Sequence, residues 1–245
     1  MLENLRARTI YRLPRRARWK LARMTGGQPK RWVQWIYDSD KEYSLRGMRE
    51  RNCIFIHIPK CAGISLASSL LGNYGGAHAT ADDYMSVFGA EWFDRAFKFT
   101  FVRDPWSRTV SAFDFLRRGG FHADDAAFGE KHLSHYAGIA DFVADGLERE
   151  EVRSWVHFRD QVDFLIDPRT NGLCADYLGR VETIEKDFRT ICDRLKINAD
   201  LKVKNSREKA SGDQSLKLDA KTIDRIARIY ARDVEMLGYG DYPLP

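Results

Sequence analysis

Residues 55–66 read FIHIPKCAGISL, an apolar run that stops at Pro59 and Lys60, turns through Gly63 and enters a second apolar run at Ser65. A strand, a tight turn and a helix in that order aim backbone N–H groups and the positive end of a helix dipole at one point. That arrangement holds anions. Gly63 is expected to supply the backbone freedom and close approach, Lys60 a mobile positive charge, and Ser65 a hydroxyl donor. An ordinary strand-to-helix connection would share the turn without needing the lysine. In the common nucleoside-triphosphate loop, GxxxxGK[ST], the lysine directly follows the second glycine. Here Lys60 precedes Gly63 by three residues and no earlier glycine exists, so this is a different loop with a related task. A second stretch, FKFTFVRDPWSRTVSAF at 97–113, places Arg103 at a strand end and Ser111 eight residues later on the next helix. A rigid guanidinium fork and a hydroxyl suit a terminal phosphate monoester. Taken alone, Arg103 could equally pair with Asp104, and Ser111 could be a small helix residue.

The elements that must position these groups follow from apolar spacing. Residues 53–58 and 97–102 read as buried strands. Ile64, Ala67 and Leu71 share a helix face, with Gly72 as its left-handed cap. Val110, Phe113 and Phe115 mark a helix after Pro105, ended by Gly119-Gly120. VDFLI (162–166) reads as a third strand before an Asn171-Gly172 turn. Ile184, Phe188, Ile191 and Leu195 predict a helix, and Ile223, Ile226, Tyr230, Val234 and Leu237 a last one before Gly238. Strands alternating with helices predict an α/β domain with a mainly parallel sheet, whose first strand-turn-helix forms the ligand end.

A hydrophobic fraction of 44% and a charged fraction of 31% fit a soluble globular chain of 245 residues. No window reaches the roughly 18 apolar residues of a membrane span, and no apolar stretch follows the basic N-terminus as a secretory signal requires. Cys53, Cys61, Cys174 and Cys192 show no paired spacing, which favours reduced thiols in the cytoplasm. Residues 1–31 carry ten Lys/Arg against a single acid, Glu3. Such an arm suits a polyanion or an anionic membrane surface, or it packs Trp19, Leu21 and Met24 on the main domain. The composition shift near 45–52 divides a basic extension, 1–50, from a main domain, 51–245.

Together the two chemical stretches resemble the sulfotransferase superfamily, in particular the carbohydrate sulfotransferases that include the heparan-sulfate and chondroitin enzymes. The family's 5′-phosphosulfate loop, roughly HxPKTxGTS, stands here as His57-Ile58-Pro59-Lys60-Cys61-Ala62-Gly63-Ile64-Ser65. Its 3′-phosphate motif, roughly VRxPxxRxxSxY/F, stands as Val102-Arg103-Asp104-Pro105-Trp106-Ser107-Arg108-Thr109-Val110-Ser111-Ala112-Phe113. Looser matches are HFRDQVDFL (157–165), GRVE (179–182) and KNSR (204–207). The resemblance runs over residues 53–240 and leaves the basic arm uncovered.

The resemblance implies a three-layer P-loop-like fold with a mainly parallel central sheet. It implies 3′-phosphoadenosine 5′-phosphosulfate (PAPS) as donor and adenosine 3′,5′-bisphosphate (PAP) as product, with no metal. Pro59 to Ser65 would hold the 5′-phosphate, and Arg103 and Ser111 the 3′-phosphate. Lys60 would stabilise charge on the breaking bond, and His78 would serve as the base, with Asp82 and Asp83 as alternatives. His57 is expected to be structural, and His157 and Gln161 to lie by the acceptor. His132 and His135 form an HxxH pair best read as a polar helix face. Cys61 and Ile64 replace the family's threonines and remove up to two hydroxyl donors, each worth about 1.5–3 kcal/mol. The expected acceptor is a hydroxyl, less readily an amine, of a carbohydrate or glycolipid, with no nucleic acid partner. A cytoplasmic enzyme of bacterial type is expected, peripheral to the inner membrane face through its basic arm. Two rivals predict otherwise. A P-loop kinase would use Asp167 at the end of VDFLID for magnesium. A non-catalytic polyanion- or nucleic-acid-binding protein would use the arm and leave Arg103 and Ser111 unexplained.

Overall fold

The computed structural model describes residues 43–202 and 218–240. The basic arm and the KNSR stretch at 204–207 lie outside the described residues. Four consecutive apolar residues, all buried, form β1 (Cys53–Ile56), the pattern of a strand covered on both faces. Along the chain follow α1 (Gly63–Leu71), α2 (Ala81–Phe88), β2 (Phe97–Val102), α3 (Pro105–Arg117) and α4 (Ala123–His132). After shorter turns come β3 (Tyr177–Arg180), α5 (Ile184–Leu195) and α6 (Ala220–Ile229). The three strands form one parallel sheet in the order β1-β2-β3, with Cys53 opposite Phe97 and Phe99 opposite Tyr177. A parallel sheet flanked by helices is the α/β arrangement expected. Among the described residues no helix is long and apolar enough to cross a membrane.

The third strand is not where the sequence suggested. Val162–Leu165 forms a single helical turn, and Ile166 makes only an isolated antiparallel bridge to Leu173. A short apolar run cannot be told from a buried helical turn by periodicity. The true strand, YLGR, is half-buried and interrupted by a glycine. A Cβ on Gly179 would stand 2.8 Å from the Phe101 ring, so packing against the neighbouring strand demands the residue that disguises the pattern. The last apolar stripe also divides. Tyr230, at φ −102° and ψ 33°, separates α6 from a short helix at Ala231–Met236.

The chain forms two compact units. The first comprises 43–58, 62–102 and 163–202 of the described residues, the second 59–61, 103–162 and 218–240. In the first, Phe55 and Phe99 stack at 5.2 Å across the sheet, and the Thr100 hydroxyl donates to the Ile56 carbonyl at 2.7 Å. Leu45 and Met48, before β1, are fully buried. In the second, Pro105 opens α3 behind Asp104, whose carboxylate accepts the Ser107 N–H at 2.7 Å. Its core gathers Phe113, Leu133, Phe142, Phe158, Ile226 and Tyr230.

Candidate active site

In the second unit the short loop Pro59–Cys61 is anchored on both sides of Lys60. The fully buried Arg108 donates from Nε to the Pro59 carbonyl at 3.2 Å and from its terminal nitrogen to the His157 carbonyl at 3.3 Å. On the other side, Cys61 Sγ lies 3.3 Å from Gln161 Oε1. Lys60 has φ +68°, uncommon for a side chain of its size, and its ammonium sits 4.1 Å from the centre of the Phe115 ring. Cys61 has a negative φ and Ala62 returns to +57°. Two left-handed residues thus flank Cys61 immediately before the first turn of α1.

Gly63 therefore works differently from expectation. The left-handed positions belong to Lys60 and Ala62, while Gly63 is the first residue of α1. Its missing side chain makes room for an imidazole: a Cβ there would stand 1.8 Å from His57 Cδ2. Ile64 is half-buried and Ser65 buried on the first turn of the same helix.

Arg103 is linked to Asp104 by way of Ser107. Its Nε donates to Ser107 Oγ at 2.9 Å, and that hydroxyl is held by the Asp104 carboxylate. Ser111 lies one turn beyond Ser107 on the same face of α3.

His78, in the first unit, is half-buried. Its Nδ1 is 3.2 Å from the His57 carbonyl and its ring meets the His57 ring edge-on at 4.6 Å. A carbonyl can only accept, so this contact places a proton on Nδ1, and in the neutral ring Nε2 then carries the basic lone pair. His57 is buried beneath Gly63 and stacked on Phe55, the structural role expected of it. Asp83 is occupied by a capping box, accepting the Thr80 N–H at 3.0 Å, whereas Asp82 is exposed.

His157 and Gln161, expected beside the acceptor, are both buried, Gln161 to 0% exposure. His157 packs against Phe115 at 5.0 Å between ring centres and sets Nε2 3.4 Å from Asp125 Oδ1. Their placement supports the lysine loop, Gln161 through Cys61 and His157 through its carbonyl on Arg108. Burial pushes the His157 pKa down, beyond what the Asp125 carboxylate restores. Burial pushes Asp125 up, but hydrogen bonds from His157 and the Phe121 N–H outweigh it and hold that carboxyl below its usual range. Both groups bind protons less readily folded than unfolded, so both contribute stability that is lost on acidification. The His157 contribution fades as pH falls below about 6.5, that of Asp125 below about 4. The melting temperature is expected to drop between pH 7 and 5 and again below 4, and Asp125→Asn to flatten the lower drop. A melting temperature that rises on acidification contradicts this assignment.

Asp167, the kinase-like acid, is engaged by the Arg169 guanidinium at 2.6 Å, which also reaches Asp94. His132 leans on Phe128 and His135 on Tyr136. Among the described residues no group of three or more His, Cys, Asp or Glu side chains could hold a metal ion. Four supporting residues escaped sequence reasoning: Arg108, Phe115, Asp125 and Asp233. Arg108 lies within the second motif. Asp233 sits on the apolar stripe between Tyr230 and Leu237, where a buried acid is out of place.

Comparison with known proteins adds three findings. The model of a family described as "Sulfotransferase family" matches residues 48–240. Carbohydrate sulfotransferase 12 of Mus musculus is 28% identical over 127 residues, covering 42% of this chain and 29% of that protein. This chain thus spans less than a third of the length of that relative. No solved structure matches the chain.

Proposed function

Since the chain belongs to the sulfotransferase family, we propose that it transfers the sulfuryl group of PAPS to a hydroxyl of a carbohydrate or glycolipid. The acceptor oxygen attacks sulfur in line, and the bond from sulfur to the bridging oxygen breaks. PAP leaves with the electron pair, and a base takes the acceptor's proton. As in phosphoryl transfer, positioning and charge stabilisation carry most of the acceleration. Lys60 neutralises charge growing on the bridging and 5′-phosphate oxygens, and N–H groups of the loop Cys61–Ser65 cradle the 5′-phosphate. Arg103 and Ser111 hold the 3′-phosphate. Nε2 of His78, in the tautomer set by the His57 carbonyl, is the proton acceptor. The carbohydrate acceptor draws support from the name of the mouse relative.

The observation that carries this reading is the anchoring of Lys60, fixed on either side by Arg108 and Gln161 in the same unit as Arg103, Ser107 and Ser111. Calorimetric titration with adenosine 3′,5′-bisphosphate, without magnesium and beside ATP, tests it. Micromolar binding of the bisphosphate is expected, with ATP much weaker. Arg103→Ala should weaken the bisphosphate about ten- to a hundredfold, the worth of one hydrogen bond to a charged group. A preference for magnesium-ATP, or indifference to Arg103, overturns the assignment.

A further inference from the structure

A carboxylate deep in the second unit has no part in the scheme above. Asp233, on the short helix Ala231–Met236, is fully buried. It accepts the backbone N–H of Gln161 at 2.9 Å, that of Val162 at 3.0 Å and the Gln161 side-chain amide at 3.3 Å. Burying a carboxylate is costly unless its lone pairs are met, and an apolar residue would fill a merely structural position with less penalty. What the carboxylate accomplishes is to orient an amide. With Nε2 directed at Asp233 and at the Arg103 carbonyl (2.8 Å), Oε1 must face the other way, where it accepts the Arg103 N–H at 2.9 Å and lies 3.3 Å from the Cys61 thiol. One side chain thereby grips both ends of the Arg103 residue's backbone and the residue after Lys60.

We propose that Gln161, oriented by Asp233, is a positioning residue that sets Arg103 and the lysine loop in mutual register for the two phosphates of the donor. The inference rests on the donor-site reading above. Gln161 acts through Arg103 and Cys61. A reversed amide would oppose Nε2 to the Arg103 N–H and Oε1 to both its carbonyl and the Asp233 carboxylate, breaking three satisfied hydrogen bonds within a buried network.

A double-mutant cycle read by bisphosphate calorimetry tests this, with thermal melts alongside. Gln161→Met keeps the volume and removes the grip. It is expected to weaken the bisphosphate tenfold or more. In that background Arg103→Ala should cost less than threefold, against tenfold or more in the wild type, because an unpositioned guanidinium has little left to lose. Asp233→Asn, which keeps the shape but sets an NH2 against one of the two backbone N–H groups, should reproduce the same loss of coupling and provides the test if Gln161→Met does not fold. A merely structural role would lower the melting temperature and leave the Arg103 cost intact, which overturns the inference while the donor site stands. Absence of bisphosphate binding in the wild type overturns both.

Discussion

Replacing Lys60 with alanine is expected to slow sulfuryl transfer about a hundred- to a thousandfold while weakening the bisphosphate product less than tenfold. The asymmetry follows from where charge develops. As the bond to the bridging oxygen breaks, negative charge grows on an oxygen that is less charged in the ground state, so a cation placed there favours the transition state over bound donor or product. Loss of one preorganised donor to a developing oxyanion costs a factor of that size. In the folded chain the ammonium rests on the Phe115 ring, 4.1 Å from its centre, a contact worth about 0.5–1 kcal/mol at an accessible site. The variant should therefore melt within a few degrees of wild type, which separates a chemical loss from a folding loss. Lys60→Arg keeps the charge but replaces a compact ammonium with a planar fork, and partial activity is expected. The measurement is single-turnover conversion of PAPS to PAP with a panel of neutral and anionic polysaccharides, beside calorimetry of the bisphosphate. An unchanged rate in Lys60→Ala would remove this residue from the chemistry.

The second large effect is expected from Gly63→Ala. The added Cβ would lie 1.8 Å from His57 Cδ2 and 1.9 Å from Nε2, far inside contact distance. The ring has little room to yield, being buried, stacked on Phe55 and set edge-on against His78. Overpacking of this kind costs about 1–3 kcal/mol, or a melting temperature lower by roughly 2–12 °C for a chain of this size. The loop's donor affinity should fall with it, because the backbone must move if the ring does not. Adding His57→Ala removes the obstruction, so the double variant is expected to recover stability relative to Gly63→Ala alone. Melting curves of wild type, both singles and the double complete the cycle. If Gly63→Ala alone melts with wild type, the imidazole does not confine this position.

How much of this was legible in the sequence differs between kinds of contact. The first two strands, the helix cap at Gly72 and the helix that opens at Pro105 depend on residues within about ten positions of one another. There hydrophobic period and turn chemistry act directly. The lysine loop was legible as a tight strand-to-helix turn for the same reason, although its left-handed residues proved to be Lys60 and Ala62 rather than Gly63. The third strand was misplaced because Gly179 answers to the Phe101 ring on the neighbouring strand, a demand that no window around 177–180 contains.

The sequence by itself determined the parallel α/β class, the two motifs that carry the family resemblance, and the family, since each is written in short contiguous runs. Only the tertiary structure decided the support around those motifs. It buried Gln161 as a clamp between Arg103 and Cys61, occupied Asp83 and Asp167, and brought Asp233 into the network. Gln161 meets Cys61, Arg103 and Asp233 across sequence separations of 100, 58 and 72 residues. Hydrogen bonds over such distances exist only once the chain has packed, because a buried amide takes its partners from whatever polar groups folding places beside it.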